Sequence, residues 1–353
     1  MEAWDSKPHN RWVFGGAVNG TEDNNVFTRR AFSMSAAAAV LAGGSSARAQ
    51  GTFATQNIRL VVGYPAGGGV DIVARLLTDP MKAAFGQAVL VENKPGAAAM
   101  IAAQSVARAT PDGHTLLVSA AGEVAVNQHI YKERMTYDPL KELTPVALAG
   151  IVPCVVVVAA TTPVRTPAEL VAYALANKGK LSFSSSGVGN PQHLAGELMN
   201  RMAGTDVLHV PYRGSAPAVT DVAVGAVTMS FSSLGAALPL IQDGRLRAVA
   251  VTSRERMPQL PDVAPLSEGS PTLAGYELLN WFGVFAPSPT PEPLQARLFE
   301  VASNALQEKA TMEKLLIQGI VPRPMTLAGL RSFVRSESEK FGAIAEAAKI
   351  RVE

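Results

Sequence analysis

The stretch Ile58-Arg59-Leu60-Val61-Val62-Gly63-Tyr64-Pro65-Ala66-Gly67-Gly68-Gly69-Val70-Asp71-Ile72-Val73-Ala74-Arg75-Leu76-Leu77 decides the fold. Its first five residues are a short apolar run closed by glycine, which reads as a buried strand. Three consecutive glycines form a turn, and beyond them Ile72, Val73, Leu76, Leu77, Met81 and Phe85 recur at helical spacing until Gly86 ends the helix. Further strands at 89–91 and 115–119, with a helix over 101–107, complete a β-α-β-α-β half.

The same alternation continues downstream. A long apolar strand at 147–160 precedes a helix start at Thr166-Pro167, where proline suits the first turn. Strands at 181–184, 207–210, 227–231 and 248–251 then alternate with helices at 192–202, 216–224 and 234–242. One more apolar strand at 282–286 and helices at 291–307, 311–318 and 326–346 follow. The pattern predicts an α/β fold with largely parallel sheets and two similar lobes. If the apolar strands near Val155 and Val284 both run between the halves, the second lobe is an insertion in the first, joined by two crossover hinge strands. The expected boundaries are 50–154 with 281–353 for lobe 1, and 155–280 for lobe 2.

Composition narrows the function. The chain has 353 residues, 48% hydrophobic and 17% charged, too apolar for disorder and long enough for two cores. A formal net charge of +2 gives no field that would hold nucleic acid or an acidic membrane. A single cysteine excludes a disulfide framework and a thiolate metal cluster.

Residues 1–49 read as a leader. Thr28-Arg29-Arg30-Ala31-Phe32 precedes an alanine-rich run from Ser35 to Gly44, and Ala47-Arg48-Ala49 supplies a signal-peptidase pattern with cleavage expected before Gln50. The paired arginines and weak hydrophobicity predict a twin-arginine signal peptide and export to the periplasm. The run at 151–160, interrupted by Pro153, is too short for a membrane span and reads as a strand.

Motifs for chemistry are sparse. Gly67-Gly68-Gly69 lacks the Lys-Ser/Thr of a P-loop and the spacing of a dinucleotide site; Gly187-x-Gly189 fails likewise. H-E-x-x-H, G-x-S-x-G and C-x-x-C are missing, and His114, His129, His193 and His209 have no partners at ligand spacing, so no metal and no cofactor is expected. The glycine turn either brings backbone N–H groups to a carboxylate at a helix N-terminus, or is simply a tight turn capped by Asp71. His193 either points into a cleft or serves as a capping or core histidine, and Cys154 reads as a small buried hydrophobe. Arg213 either pairs with a ligand carboxylate or stays solvated. Serines cluster at strand ends, at Ser119, 184–186 and 232–233, where they either line a neutral polar site or reflect ordinary loop composition.

The ordered set Tyr64-Pro65-Ala66-Gly67-Gly68-Gly69-Val70-Asp71, Val91-Glu92-Asn93-Lys94-Pro95-Gly96-Ala97, Pro111-Asp112-Gly113-His114-Thr115-Leu116-Leu117, His193-Leu194-Ala195-Gly196-Glu197, His209-Val210-Pro211-Tyr212-Arg213-Gly214-Ser215-Ala216-Pro217 and Leu246-Arg247-Ala248-Val249-Ala250-Val251-Thr252 resembles the Bug family, the solute-binding receptors of tripartite tricarboxylate transporters. The likeness covers nearly all of the chain after the leader. It implies a two-lobed periplasmic-binding-protein fold of the type II kind, closing on a small organic carboxylate and presenting it to the transporter membrane subunits as a monomer without catalysis.

The expected ligand-binding positions in lobe 1 are Tyr64, Ala66, Gly67, Gly68, Gly69, Asp71, Ser119, Ala120 and Ala121, of which 66–69 and 119–121 match the family's first-lobe loops by the same resemblance. In lobe 2 they are Ser186, Gly187, Gly189, Asn190, His193, Tyr212, Ser232 and Ser233. Two departures carry expectations. Ser232-Ser233 stands where relatives carry Asp-Asn, which argues against an amino-acid ligand. Ala98-Ala99 replaces a Gly-Gly pair, which removes the backbone freedom that close approach of that loop relies on. A sensory receptor and a secreted α/β enzyme are the rival functions.

Overall fold

A computed structural model describes residues 55–351; the leader and its cleavage position lie outside the described residues. β1 (Ile58–Val62) pairs in parallel with β2 (Val89–Asn93) on one side and β3 (Thr115–Ala120) on the other, and α1 (Gly69–Phe85) and α2 (Met100–Ala107) make the crossovers. A π-helical turn over Gly122–Val126 leads into α3 (Asn127–Ile130), α4 (Pro139–Glu142) and the long β4 (Leu143–Ala159). The second half runs α5 (Pro167–Ala176), β5 (Leu181–Ser185), α6 (Pro191–Ala203), β6 (Val207–Pro211), α7 (Ser215–Ala223), β7 (Met229–Ser233), α8 (Leu234–Gln242) and β8 (Leu246–Val251). β9 (Leu279–Pro287), α9 (Glu292–Gln307), α10 (Lys309–Ile317) and α11 (Leu327–Ala347) complete it.

The strand order is β2-β1-β3-β9-β4-β7-β5-β6, with β8 also on β4. β4 is antiparallel to β9 from Leu143 to Pro153 and then, from Cys154 onward, antiparallel to β7 and β8. One strand therefore serves two sheet halves, and the fold is two-lobed. The expectation of largely parallel sheets holds within each lobe, for β1 with β2 and β3 and for β5 with β6 and β7, but not at the centre. There β3, β4, β7, β8 and β9 pair antiparallel. A run buried on both faces carries no alternation, so its direction is not written in its hydrophobicity.

Side-chain alternation along β1 builds two layers. Ile58, Leu60 and Val62 enter the core formed with Val73, Leu77 and Met81 of α1, whereas Val61 faces Ala102, Ala103 and Val106 of α2. The buried stripe of α1 is Val70, Val73, Ala74, Leu77 and Met81, and burying each of the larger ones stabilises the fold by about 1.5–3 kcal/mol. The helix stops where Gly86 adopts φ +70° and its N–H reaches the Lys82 carbonyl at 2.9 Å. Cys154 is buried in β4, and burial pushes its thiol up to about 12, in line with the small-hydrophobe reading.

Candidate functional site

A cleft of about 490 Å3 opens between the first turn of α1 and the segment 186–191 that precedes and starts α6. Its size falls within the range of small-molecule sites. From the first half it is lined by Tyr64, Gly68, Gly69, Val70, Ala98, Ala120, Gly122, Asn127 and Tyr131, from the second by Ser186, Gly187, Val188, Gly189, Asn190 and Pro191, and from β9 by Asn280 and Phe282. No Lys, Arg, His, Asp or Glu is among these residues.

The start of α1 is uncapped where it meets the cleft. Gly68 is its N-cap, in extended conformation and with no side-chain cap, so the N–H groups of Gly69 and Val70 have no partner within the helix. Gly69 also lets β9 approach, because a Cβ there would lie 2.8 Å from the Phe282 ring. Asp71 does not face the cleft. Its carboxylate accepts from the Gly67 N–H at 2.9 Å, Arg75 Nε at 2.8 Å and Asn93 Nδ2 at 2.9 Å, which fixes the turn from behind. The Arg75 guanidinium, with help from Gly67 and Asn93, lowers the Asp71 carboxyl to about 2. Asp71→Ala is therefore expected to lower stability by about 2 kcal/mol near neutral pH, read by urea unfolding. Because the folded-state value is depressed, the contribution is present above about pH 4 and fades as pH falls toward 2; the variant loses that acid limb.

Behind the wall sits Glu123, fully buried in the π-helical turn. Tyr64 donates its hydroxyl to Glu123 Oε2 at 2.8 Å, and the Ala120 N–H donates to Oε1 at 3.1 Å. Burial pushes the carboxyl up to about 7 against the pull of these bonds. Asn280 accepts from the N–H groups of Ala121 and Trp281 at 3.3 and 2.9 Å through Oδ1, which leaves its amide Nδ2 as a donor at the cleft.

The loop before α2 departs from expectation. Ala97, Ala98 and Ala99 all adopt left-handed backbone, with φ of +46°, +51° and +67°. The backbone thus keeps a path suited to glycine although the side chains are alanine. Ala98 lines the cleft, and its carbonyl accepts from Asn127 Nδ2 at 2.9 Å. Gly63 makes room for the loop, since a Cβ there would lie 2.4 Å from Ala99 Cβ. Left-handed alanine costs about 1–2 kcal/mol per residue, so Ala98→Gly is expected to raise stability by about 1 kcal/mol in chemical denaturation.

The opposite wall closes its own hydrogen bonds. Asn190 caps α6 by accepting from the His193 N–H at 3.0 Å, and its Nδ2 donates to Ser186 Oγ at 2.7 Å. The Gly189 N–H donates to His193 Nδ1 at 3.0 Å, Gly187 N–H to Ser185 Oγ at 3.3 Å and Ser186 N–H to Gln192 Oε1 at 2.9 Å. His193 is stacked on His209 at 3.6 Å between ring centroids, and His209 Nε2 lies 2.7 Å from Ser185 Oγ. Burial, with His193 beside it, pushes His209 down to about 3, so this ring stays neutral.

Of the expected ligand positions, Tyr64, Gly68, Gly69, Ala120, Ser186, Gly187, Gly189 and Asn190 come together at the cleft. The others do not line it. Ala66 and Gly67 are exposed in the turn before α1 and are not among the lining residues. Ser119 is buried and donates to the Ala120 carbonyl at 2.7 Å, while Ala121 offers its N–H to Asn280. His193 supports the Gly189 loop from within its lobe, and Tyr212 donates to Asp221 at 2.5 Å. Ser232 is buried in β7 with its hydroxyl on the Ser233 carbonyl at 3.3 Å, and neither serine reaches the cleft. Among the lining residues that sequence reasoning did not single out are Asn127, Tyr131, Val188, Pro191, Asn280 and Phe282. A polar residue interrupting the apolar end of β9 was the available signal for Asn280.

The sequence profile of the family described as "Tripartite tricarboxylate transporter family receptor" matches residues 73–350. A protein from the tcbD-tcbE intergenic region of Pseudomonas sp. strain P51 is 39% identical over 299 residues, 84% of this chain and 88% of that one. Among solved structures, Rpa4515 of R. palustris with adipate is 32% identical with a TM-score of 0.73, over 84% of this chain and 98% of its own. MatC from Rhodopseudomonas palustris with bound malate is 32% identical with a TM-score of 0.69, over 83% and 99%.

Proposed function

The chain belongs to the tripartite tricarboxylate transporter receptor family, and from that premise we propose that it is a periplasmic receptor that captures a small organic carboxylate in the interlobe cleft and delivers it to the membrane subunits of such a transporter. The observation that carries this reading is the uncapped start of α1 opening onto the cleft, beside the Asn280 amide. A carboxylate there meets several N–H donors and the positive end of the helix dipole without a cationic side chain. Two structurally similar proteins with adipate and malate bound support the same ligand chemistry.

The rest of the mechanism follows from the two lobes. Only the closed form touches the ligand from both sides, so binding favours closure. Residues 50–154 with 281–353 form one lobe and 155–280 the other, a division supported by β4 exchanging partners at Pro153 and Cys154. The working form is a monomer released by cleavage before Gln50 after twin-arginine export. It acts as a binding protein without catalysis, a reading supported by the receptor family to which the chain belongs.

Thermal unfolding of residues 50–353 against mono-, di-, tri- and aromatic carboxylates and amino acids tests this. A ligand at about 100 times its dissociation constant is expected to stabilise by about 2.7 kcal/mol, a shift of several degrees. No shift with any carboxylate, in protein shown by native mass spectrometry to carry no bound molecule, contradicts the reading.

A further inference from the structure

The two walls of the cleft are chemically unequal. Two helices begin at it, α1 of 17 residues and α6 of 13, so both could offer a positive dipole end to an anion. Only α1 is open. Its cap, Gly68, has no side chain to occupy the first-turn donors. At α6 the first residue is Pro191, which has no N–H, and the cap residue Asn190 already accepts from His193. The donors of Ser186, Gly187 and Gly189 are likewise turned inward, onto Gln192, Ser185 and His193.

Beside the Ser186 hydroxyl and Asn190, this wall presents apolar surface. Val188 is 42% exposed at the cleft and Pro191 lies beside it. Phe282 adds ring surface beside the start of α1, and Tyr131 adds the ring of a hydroxyl-bearing side chain. A second carboxylate placed here would lose its hydration with no cation and one free first-turn N–H, that of Gln192, to replace it.

We propose that the cleft selects carboxylates with a single anionic group and an uncharged, apolar far end, the carboxylate seated at the start of α1 and the apolar body against Val188, Pro191, Tyr131 and Phe282. This rests on the receptor reading above and adds the ligand class. It sets the chain apart from its structural relatives with adipate and malate, whose ligands carry an acid at each end.

The test is calorimetric titration of the mature chain with length-matched pairs: hexanoate against adipate, and benzoate against terephthalate. In at least one pair the monoacid is expected to bind about tenfold or more tighter than its diacid. Diacids binding as tightly as, or tighter than, their monoacids in both pairs overturns the selectivity and leaves the receptor reading standing. If none of the four binds and no other carboxylate stabilises the fold, the receptor reading fails, and this proposal with it. Val188→Arg supplies the missing cation, and the ratio of diacid to monoacid affinity is expected to rise about tenfold. An unchanged ratio in that variant overturns the assignment of selectivity to the Val188 wall.

Discussion

Replacing Gly189 with valine is expected to lower carboxylate affinity by about 100-fold or more while the chain still folds. Gly189 sits at φ +75°, a region that a β-branched residue enters only under strain. A Cβ added there would lie 1.9 Å from Cδ1 and 3.4 Å from Cγ1 of Ile130, a buried α3 side chain on the far side of the cleft. The glycine is thus where one lobe rests against the other. Bulk at this point pushes the lobes apart and pulls the Gly189 N–H from His193, so the ligand meets one wall only. Calorimetry with the tightest carboxylate from the thermal panel measures the loss. Gly225→Val is the control, because Gly225 has a similar φ of +80° but nothing within 4 Å of an added Cβ. It is expected to keep its affinity; equal losses in the two variants would assign the effect to backbone strain in place of closure.

The second large effect concerns Glu123. Burial raises its carboxyl from 4.5 to about 7, so its contribution to stability has a definite sign. A raised folded-state value means that stability is fully present below about pH 4.5 and is lost as pH rises through about 7. The loss approaches about 3 kcal/mol above pH 8. Glu123→Gln keeps an acceptor for the Ala120 N–H and lets Tyr64 turn its hydroxyl to accept, but it cannot ionise. Urea unfolding between about pH 5 and about pH 8 is expected to show the wild-type chain losing stability across the window and the variant holding nearly level. Parallel profiles would contradict the assignment.

These two residues also mark the limits of sequence reading. Strand Ile58–Val62 and the helix stopped by Gly86 were legible because strand and helix periods are strong local signals and a left-handed glycine ends a helix cleanly. The start of α1 at the cleft was legible for the same reason. The π-helical turn at Gly122–Val126 was not, since nothing in its composition separates it from an ordinary helix, and with it went Glu123, Asn127 and Tyr131. Asn280 and Phe282 come from β9, buried throughout most of its length, where no polar face shows which side chains look into the cleft.

The serine clusters show a different limit. Ser119, Ser184, Ser185 and Ser232 give their hydroxyls to the carbonyls of Ala120, Ala218, Gly187 and Ser233, and of the serines considered only Ser186 lines the cleft. Residue type at a strand end told where hydroxyls would gather, but whether a hydroxyl serves a ligand or the backbone is decided by partners distant in sequence. The alanines at 97–99 make the same point in reverse: the conformation is glycine-like although the residues are not, because Asn127 and Gly63 hold and accommodate the loop.

The most direct test of carboxylate capture at this cleft is an amide chemical-shift titration of the isotopically labelled mature chain with the tightest carboxylate. The largest perturbations are expected at the backbone N–H groups of Gly69 and Val70 and the side-chain amide of Asn280, saturating at the calorimetric dissociation constant. Saturating binding that leaves these three signals in place and perturbs another surface, such as the groove beside Arg59 and Arg108, would contradict capture at this cleft.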